Sequence, residues 1–67
     1  MITYEPLWET MKAKNITTYT LICKHGISSH TIHNLKHNKG ITIDTLNKLL
    51  NILDCTPNDI LKFERDK

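Results

Sequence analysis

The sequence predicts an all-α fold of five short helices in one small domain. Three observations lead to this prediction: a helix-start pattern that occurs four times, apolar residues at helical spacing behind those starts, and a length of 67 residues. A chain of this size buries only about 60% of the surface that its unfolded form exposes, so we expect a thin core supported by a homodimer. The predicted domain spans residues 1–67 and has helices at about 6–14, 18–24, 29–37, 43–53 and 57–62.

Each helix start consists of an apolar residue, a hydroxyl residue, three more residues and an aliphatic residue. The hydroxyl is an N-cap that accepts a backbone N–H of the first turn, and the flanking apolar pair forms a hydrophobic staple. The four copies begin at Ile16, Ile27, Ile41 and Cys55. In the fourth copy Pro57 occupies the first helical position and Asp59 the capping-box position, which predicts the fifth helix.

The first helix has no such cap and is predicted from Pro6 onward. We expect it to bury Leu7, Trp8 and Met11. The fourth helix has the spacing of a buried face at Ile43, Leu46, Leu49, Leu50 and Leu53. At the termini, Ile2 and Tyr4 share a face if the chain is extended there, as do Leu61 and Phe63. The sequence therefore also allows a short β-strand pair between the termini.

The first two capped starts lie eleven residues apart, with Gly26 just before the second. This distance leaves room for one short helix, a tight glycine turn and a second helix. The arrangement is that of a helix-turn-helix.

Charge is distributed unevenly although the formal net charge is only +2. All seven carboxylates lie at residues 5–9 or 44–66, so residues 10–43 contain none. The same window contains the basic and imidazole side chains Lys12, Lys14, Lys24, Lys36, Lys39, His25, His30, His33 and His37. This half of the chain is predicted to present a polar, basic surface suited to a polyanion.

Other functional classes fit poorly. The chain has no apolar run long enough to span a membrane and its N-terminus lacks the regions of a signal peptide, so we expect a cytoplasmic protein. Cys23 and Cys55 are then interpreted as reduced and structural, with Cys23 packed in a helix. Scattered carboxylates and the lack of a Gly-rich loop argue against an enzyme, a cofactor or a small-molecule substrate.

From residue 16 to residue 53 the chain resembles the phage-repressor and Cro-like (Xre-type) helix-turn-helix family. The matching residues are Thr17, Leu21, Gly26, Ile27, Ser28, Thr31, Ile32 and Leu35, followed by Asp44, Thr45 and Leu46. The resemblance implies a transcriptional regulator that reads double-stranded operator DNA as a two-fold dimer, and we expect a repressor on a palindromic operator. Ile22 stands where the family has a small residue, which predicts a spread or rotated helix pair.

The family's contact scheme implies that the helix at 29–37 reads bases in the major groove. Ser29, His30, His33 and Asn34 are the candidates for base contact, since Asn34 can bind adenine through two hydrogen bonds. Ser28 is expected only to cap. The candidates for phosphate contact are Thr17, Thr18 and Tyr19 at the start of the second helix, with Lys36 and Lys39 after the recognition helix.

His30, His33 and His37 share one helix face at a spacing that metal ions tolerate. No cysteine or carboxylate joins them at ligand spacing, and the same face is needed for DNA, so no metal site is predicted. Partial protonation of these histidines near neutral pH is a further hypothesis, because it would strengthen attraction to phosphate. His25 is expected to pack with its nitrogen at the domain edge.

Two alternatives to a DNA-binding repressor stay open. The first is a protein-interaction module, antitoxin-like or adaptor-like, in which the exposed segment at 61–67 binds a partner. The second and weaker one is structured RNA, whose narrow major groove does not admit a recognition helix. The carboxylate-free window favours DNA.

Overall fold

Four α-helices and one pair of short strands make up the fold in the computed structural model, which describes residues 1–66. The elements are β1 (Ile2–Thr3), α1 (Glu5–Ala13), α2 (Thr18–His25), α3 (Ser29–Lys36), α4 (Ile43–Leu53), a 3₁₀ turn (Pro57–Asp59) and β2 (Lys62–Phe63). The strands pair antiparallel, with Ile2 opposite Phe63 and Thr3 opposite Lys62. The helix-turn-helix architecture and the terminal strand pair are confirmed.

The prediction of a fifth helix at 57–62 is wrong. Asp59 does act as expected at its start, because its Oδ2 accepts the Thr56 N–H at 3.2 Å. The helical turn ends after Asp59, however, and the chain becomes extended at Lys62 to pair with β1. Pairing with the distant N-terminus therefore takes the backbone groups that a longer helix would have used.

Three helices begin at the predicted hydroxyl caps. The Oγ atoms of Thr17, Ser28 and Thr42 accept the backbone N–H of the residue three positions on, at 3.2, 3.1 and 3.1 Å. That third residue is threonine in every case, and its hydroxyl bonds the cap hydroxyl at 2.9–3.1 Å. Each cap thus satisfies one of the N–H groups that a helix start leaves without an internal partner.

Residues in the left-handed conformation follow all four helices. Gly26 has φ 71° after α2, while Asn15, Asn38 and Asp54 have φ 58°, 55° and 49° after α1, α3 and α4. Glycine, asparagine and aspartate adopt this conformation more readily than other residues. The short turns of the domain therefore depend on these three residue types at four positions.

Side chains from every helix and from the segment before β2 form the core. The fully buried residues are Leu7, Leu21, Leu35, Leu49, Leu53 and Ile60. Met11 is buried as predicted and Trp8 is half-buried against the core. Ile43, expected in the buried face of α4, is 78% exposed, because the first residue of α4 lies beyond the edge of the core cluster. Leu46 and Leu50 are half-buried.

Replacing Gly26 with alanine tests the turn inside the helix-turn-helix. A Cβ at Gly26 would meet no atom within 4 Å, so the cost comes from the backbone conformation alone. We expect the free energy of unfolding to fall by about 1 to 2 kcal/mol, as measured by urea denaturation. Gly40→Ala is the matched control, because Gly40 also has open space around it and its φ is not positive. Equal stability of the two variants would contradict the prediction.

Candidate nucleic-acid interface

Helix α3 buries one side and presents the other to solvent. Ile32 and Leu35 pack into the core, while Ser29, His30 and His33 are exposed and Asn34 is half-buried. His37, which caps the C-terminal end, is also exposed. The four predicted base-reading side chains therefore lie on a surface that a DNA groove can reach, and their contact with bases stays a prediction.

The starts of α2 and α3 carry hydroxyl groups that are already engaged. Thr17 Oγ1 accepts the Thr20 N–H at 3.2 Å, and Ser28 Oγ accepts the Thr31 N–H at 3.1 Å. Ser28 is thus a cap, as expected. At the start of α2, Tyr19 is 73% exposed and Thr18 is half-buried. The backbone N–H groups of a first helical turn and the positive end of the helix dipole suit a phosphate oxygen there.

The loop after α3 is held in place by its backbone. The Lys39 N–H donates to the Asn34 carbonyl at 2.8 Å, and the Lys39 carbonyl accepts the Tyr4 hydroxyl at 2.7 Å. The Tyr4 N–H donates to Asn38 Oδ1 at 3.1 Å. The exposed Lys39 side chain therefore projects from a fixed backbone, whereas Lys36 is an exposed residue of α3.

Tyr4 is the positioning residue that sequence reasoning missed. It is 4% exposed, and burial raises the pKa of its hydroxyl. The residues next to Tyr4 do not indicate that its partner lies 35 positions away, at Lys39. The sequence could have indicated only that a buried tyrosine hydroxyl needs some hydrogen-bond partner.

His33 and His37 lie one helical turn apart with ring centroids 4.3 Å from each other. Repulsion from a protonated His37, followed by smaller contributions from desolvation, Lys39 and His30, lowers the pKa of His33 below its ordinary 6.5. His33 therefore gains its positive charge at a lower pH than an ordinary histidine does. Among residues 1–66, no three His, Cys, Asp or Glu side chains are grouped so as to hold a metal ion.

His37→Ala should raise the pKa of His33 toward its ordinary value, because it removes the largest cause of the shift. NMR titration of the His33 imidazole in the original chain and in the variant measures this directly. His25→Ala is the matched control, since His25 is not among the causes of the His33 shift. An unchanged His33 titration in His37→Ala would show that the two rings do not interact in solution.

Three side chains near this surface are more exposed than the sequence suggested. His25, expected to pack at the domain edge, is exposed, and so is the free thiol of Cys23. Ile22 is 37% exposed and lies outside the core cluster. The Ile22 side chain, which is larger than the small residue of the family, therefore lies at the surface of α2 and is not inserted fully between α2 and α3.

The family model of the Cro/C1-type HTH DNA-binding domain matches residues 6–66. The chain belongs to this family. The fold of the chain is similar to that in a solved structure, the crystal structure of transcriptional regulator VanUg, with a TM-score of 0.83 at 23% identity over 91% of this chain and 81% of that one. A search of curated protein sequences returns no match. Among residues 1–66 of this Cro/C1-type domain, no helix is long and apolar enough to cross a membrane.

Proposed function

We propose that this Cro/C1-type domain is a sequence-specific transcriptional regulator that binds a palindromic operator as a homodimer and represses by blocking polymerase. The observation that carries the proposal is the exposed face of α3. Its hydrogen-bonding side chains lie in a window of residues 10–43 that contains no carboxylate. A one-signed surface of this kind attracts a polyanion, and exposed polar side chains on a rigid helix can read base edges.

Base readout falls to Ser29, His30, His33 and Asn34. Ser29 and His30 begin α3, the end that enters the major groove most deeply in helix-turn-helix proteins. Asn34 lies one turn further along and can both donate to and accept from adenine. The lowered pKa of His33 favours the neutral imidazole, which can both donate and accept a hydrogen bond.

Phosphate contacts fix the register of the domain on DNA. The first turn of α2 supplies backbone N–H groups of Thr18 and Tyr19, with the Thr17 hydroxyl beside them. Lys36 and Lys39 supply charge at the other end of α3. Because Lys39 projects from a hydrogen-bonded backbone, its ammonium loses less freedom on binding than one on a loose loop. In a dimer, two such surfaces would contact half-sites about 34 Å apart.

Selection of bound sequences from a random DNA pool at physiological salt tests the proposal. We expect a palindrome with two half-sites to be enriched. The logarithm of its binding constant should fall by about 0.9 per neutralised phosphate for each tenfold rise in salt concentration. The His30→Ala, Asn34→Ala double variant is the control, because both changes lie on α3 outside the core. It should retain its circular dichroism spectrum and lose the enrichment.

Enrichment of no sequence by the folded chain would contradict specific DNA readout. That result would favour the protein-interaction role, in which the segment at 61–67 binds a partner. Part of that segment is β2, and Lys67 lies outside the described residues. Repression itself is tested by a reporter with the selected operator placed over its promoter, where lower expression is expected.

A further inference from the structure

The two-stranded terminal sheet has an edge that ends in solvent. In the ladder, Met1 and Glu64 exchange backbone hydrogen bonds, with the Glu64 N–H donating to the Met1 carbonyl at 2.8 Å. Antiparallel pairs alternate between bonded and non-bonded positions, so Ile2 and Phe63 form a non-bonded pair. The N–H and C=O of Phe63 therefore point away from β1. Within residues 1–66 no other strand pairs with β2.

Apolar side chains cover the outer face of this sheet. Ile2 and Phe63 lie opposite each other and so share a face, and they are 46% and 66% exposed. Thr3 lies on the other face and is buried. Two exposed apolar residues side by side, next to unpaired backbone groups, are the features by which a sheet edge recruits another strand. A two-stranded sheet is also only marginally stable without further strands or packing.

The residues of β2 are complementary in charge to a reversed copy of themselves. Lys62, Phe63 and Glu64 follow one another along the chain. In an antiparallel pair centred on Phe63, each Lys62 lies opposite the Glu64 of the other copy. Within one chain Lys62 Nζ already contacts Glu64 Oε1 at 3.0 Å, so the two side chains lie on the same side of the strand. Two copies would bring these four charges together in alternation.

We infer that β2 pairs antiparallel with β2 of a second copy of this chain, about a two-fold axis at Phe63, to give a continuous four-stranded sheet. The outward N–H and C=O of each Phe63 would bond the Phe63 of the other copy. Lys62 and Glu64 would then meet at non-bonded positions, where cross-strand side chains approach most closely. On the apolar face, the two Phe63 rings would lie opposite each other between the two Ile2 side chains.

We assign the partner strand to a second copy of this chain because the charges of β2 are complementary to those of an antiparallel copy of β2. The outer edge of β1 offers no such pattern, since Met1, Ile2 and Thr3 carry no charged side chain. With few exposed apolar side chains on each copy, the interface is small and its association is concentration-dependent. The inference rests on the proposed homodimer and specifies its surface. A two-half-site operator would strengthen the dimer by holding both copies together.

Sedimentation equilibrium of the DNA-free chain over a wide concentration range measures this pairing. We expect a reversible monomer–dimer equilibrium that Lys62→Glu or Glu64→Lys weakens roughly 30-fold, because each change replaces two opposite-charge contacts by two like-charge contacts. Phe63→Thr should also weaken the dimer while preserving strand propensity. Lys48→Glu is the matched control, since it makes the same charge change on exposed α4 and should leave association unaltered.

Mixing the Lys62→Glu and Glu64→Lys variants is the decisive arm. Neither variant can form the contact between residues 62 and 64 within its own chain, yet a heterodimer of the two has opposite charges at both cross-strand positions. Recovery of dimer in the mixture, but in neither variant alone, supports the inference and excludes an effect on the monomer fold. Failure of the mixture to recover would overturn it.

Operator binding by the same variants separates this inference from the proposed function. Weakened dimers should lose affinity for an operator with two half-sites and keep their affinity for a single half-site. A chain that sediments as a monomer at every concentration, or as a dimer in all of these variants, overturns pairing through β2 whatever its DNA binding. Dimerisation through β2 without any DNA binding would overturn only the proposed function.

Discussion

Asn34→Ala should lower affinity for the selected operator by about 1 to 3 kcal/mol and relax specificity at one base pair of each half-site. The physical reason is the loss of a paired donor and acceptor, which leaves the base edge facing a methyl group. Asn34 is half-buried on α3. The backbone carbonyl of residue 34 is still present in the variant and accepts the Lys39 N–H, so the loop after the helix should keep its position. Fluorescence anisotropy with the operator and all single-base variants of one half-site measures both effects.

Lys39→Ala is the matched control for this prediction. A lysine that contacts phosphate contributes to every sequence alike, so the variant should weaken the operator and random DNA by the same factor and reduce the salt slope by about one unit. If Asn34→Ala instead weakened all sequences equally, Asn34 would belong with the phosphate contacts. If Lys39→Ala changed the preferred sequence, the division of roles between the helix and the loop would be wrong.

Leu49→Ala should remove about 2 to 5 kcal/mol from the free energy of unfolding, through lost burial and the cavity left in the core. Leu49 is fully buried in α4. A domain of this length has a total stability of roughly 3 to 10 kcal/mol, so the variant should be partly or largely unfolded at 25 °C. Urea denaturation followed by far-UV circular dichroism measures the change. DNA binding should fall in proportion to the folded fraction.

Ile43→Ala makes a comparable truncation on the same helix with a different expected result. Ile43 is 78% exposed, so little apolar burial is lost and the change in stability should stay within about 0.5 kcal/mol. Alanine also favours the helix slightly more than isoleucine does. A large loss of stability in Ile43→Ala, or a small one in Leu49→Ala, would show that the core is packed differently in solution.

The helix starts could be predicted from the sequence because they depend on local chemistry. A hydroxyl residue at Thr17, Ser28 or Thr42 bonds an N–H only three residues away, so the partner is specified by chain position alone. Exposure of His30 and His33 followed equally from helical periodicity once Ile32 and Leu35 were assigned to the core. Their contact with DNA remains a prediction.

Four predictions are wrong for one physical reason: burial and strand pairing both depend on distant parts of the chain. Ile43 has the spacing of a core residue but lies beyond the reach of the other helices. His25 was expected to pack at the domain edge and Cys23 to pack within its helix, yet both are exposed. The fifth helix had a cap, a proline and an acidic capping residue, yet it ends at Asp59, because the N-terminal strand competes for the backbone that follows.

The sequence by itself determined the helix-turn-helix and the basic stretch of residues 10–43 that contains no carboxylate, since caps, turns and charge spacing are properties of neighbouring residues. Only the tertiary structure decided how the ends of the chain are used. It joins Ile2 to Phe63 across a two-stranded sheet and fixes the loop after α3 through the Tyr4 hydroxyl. These contacts link residues 35 or more positions apart, and no local preference specifies such a partner.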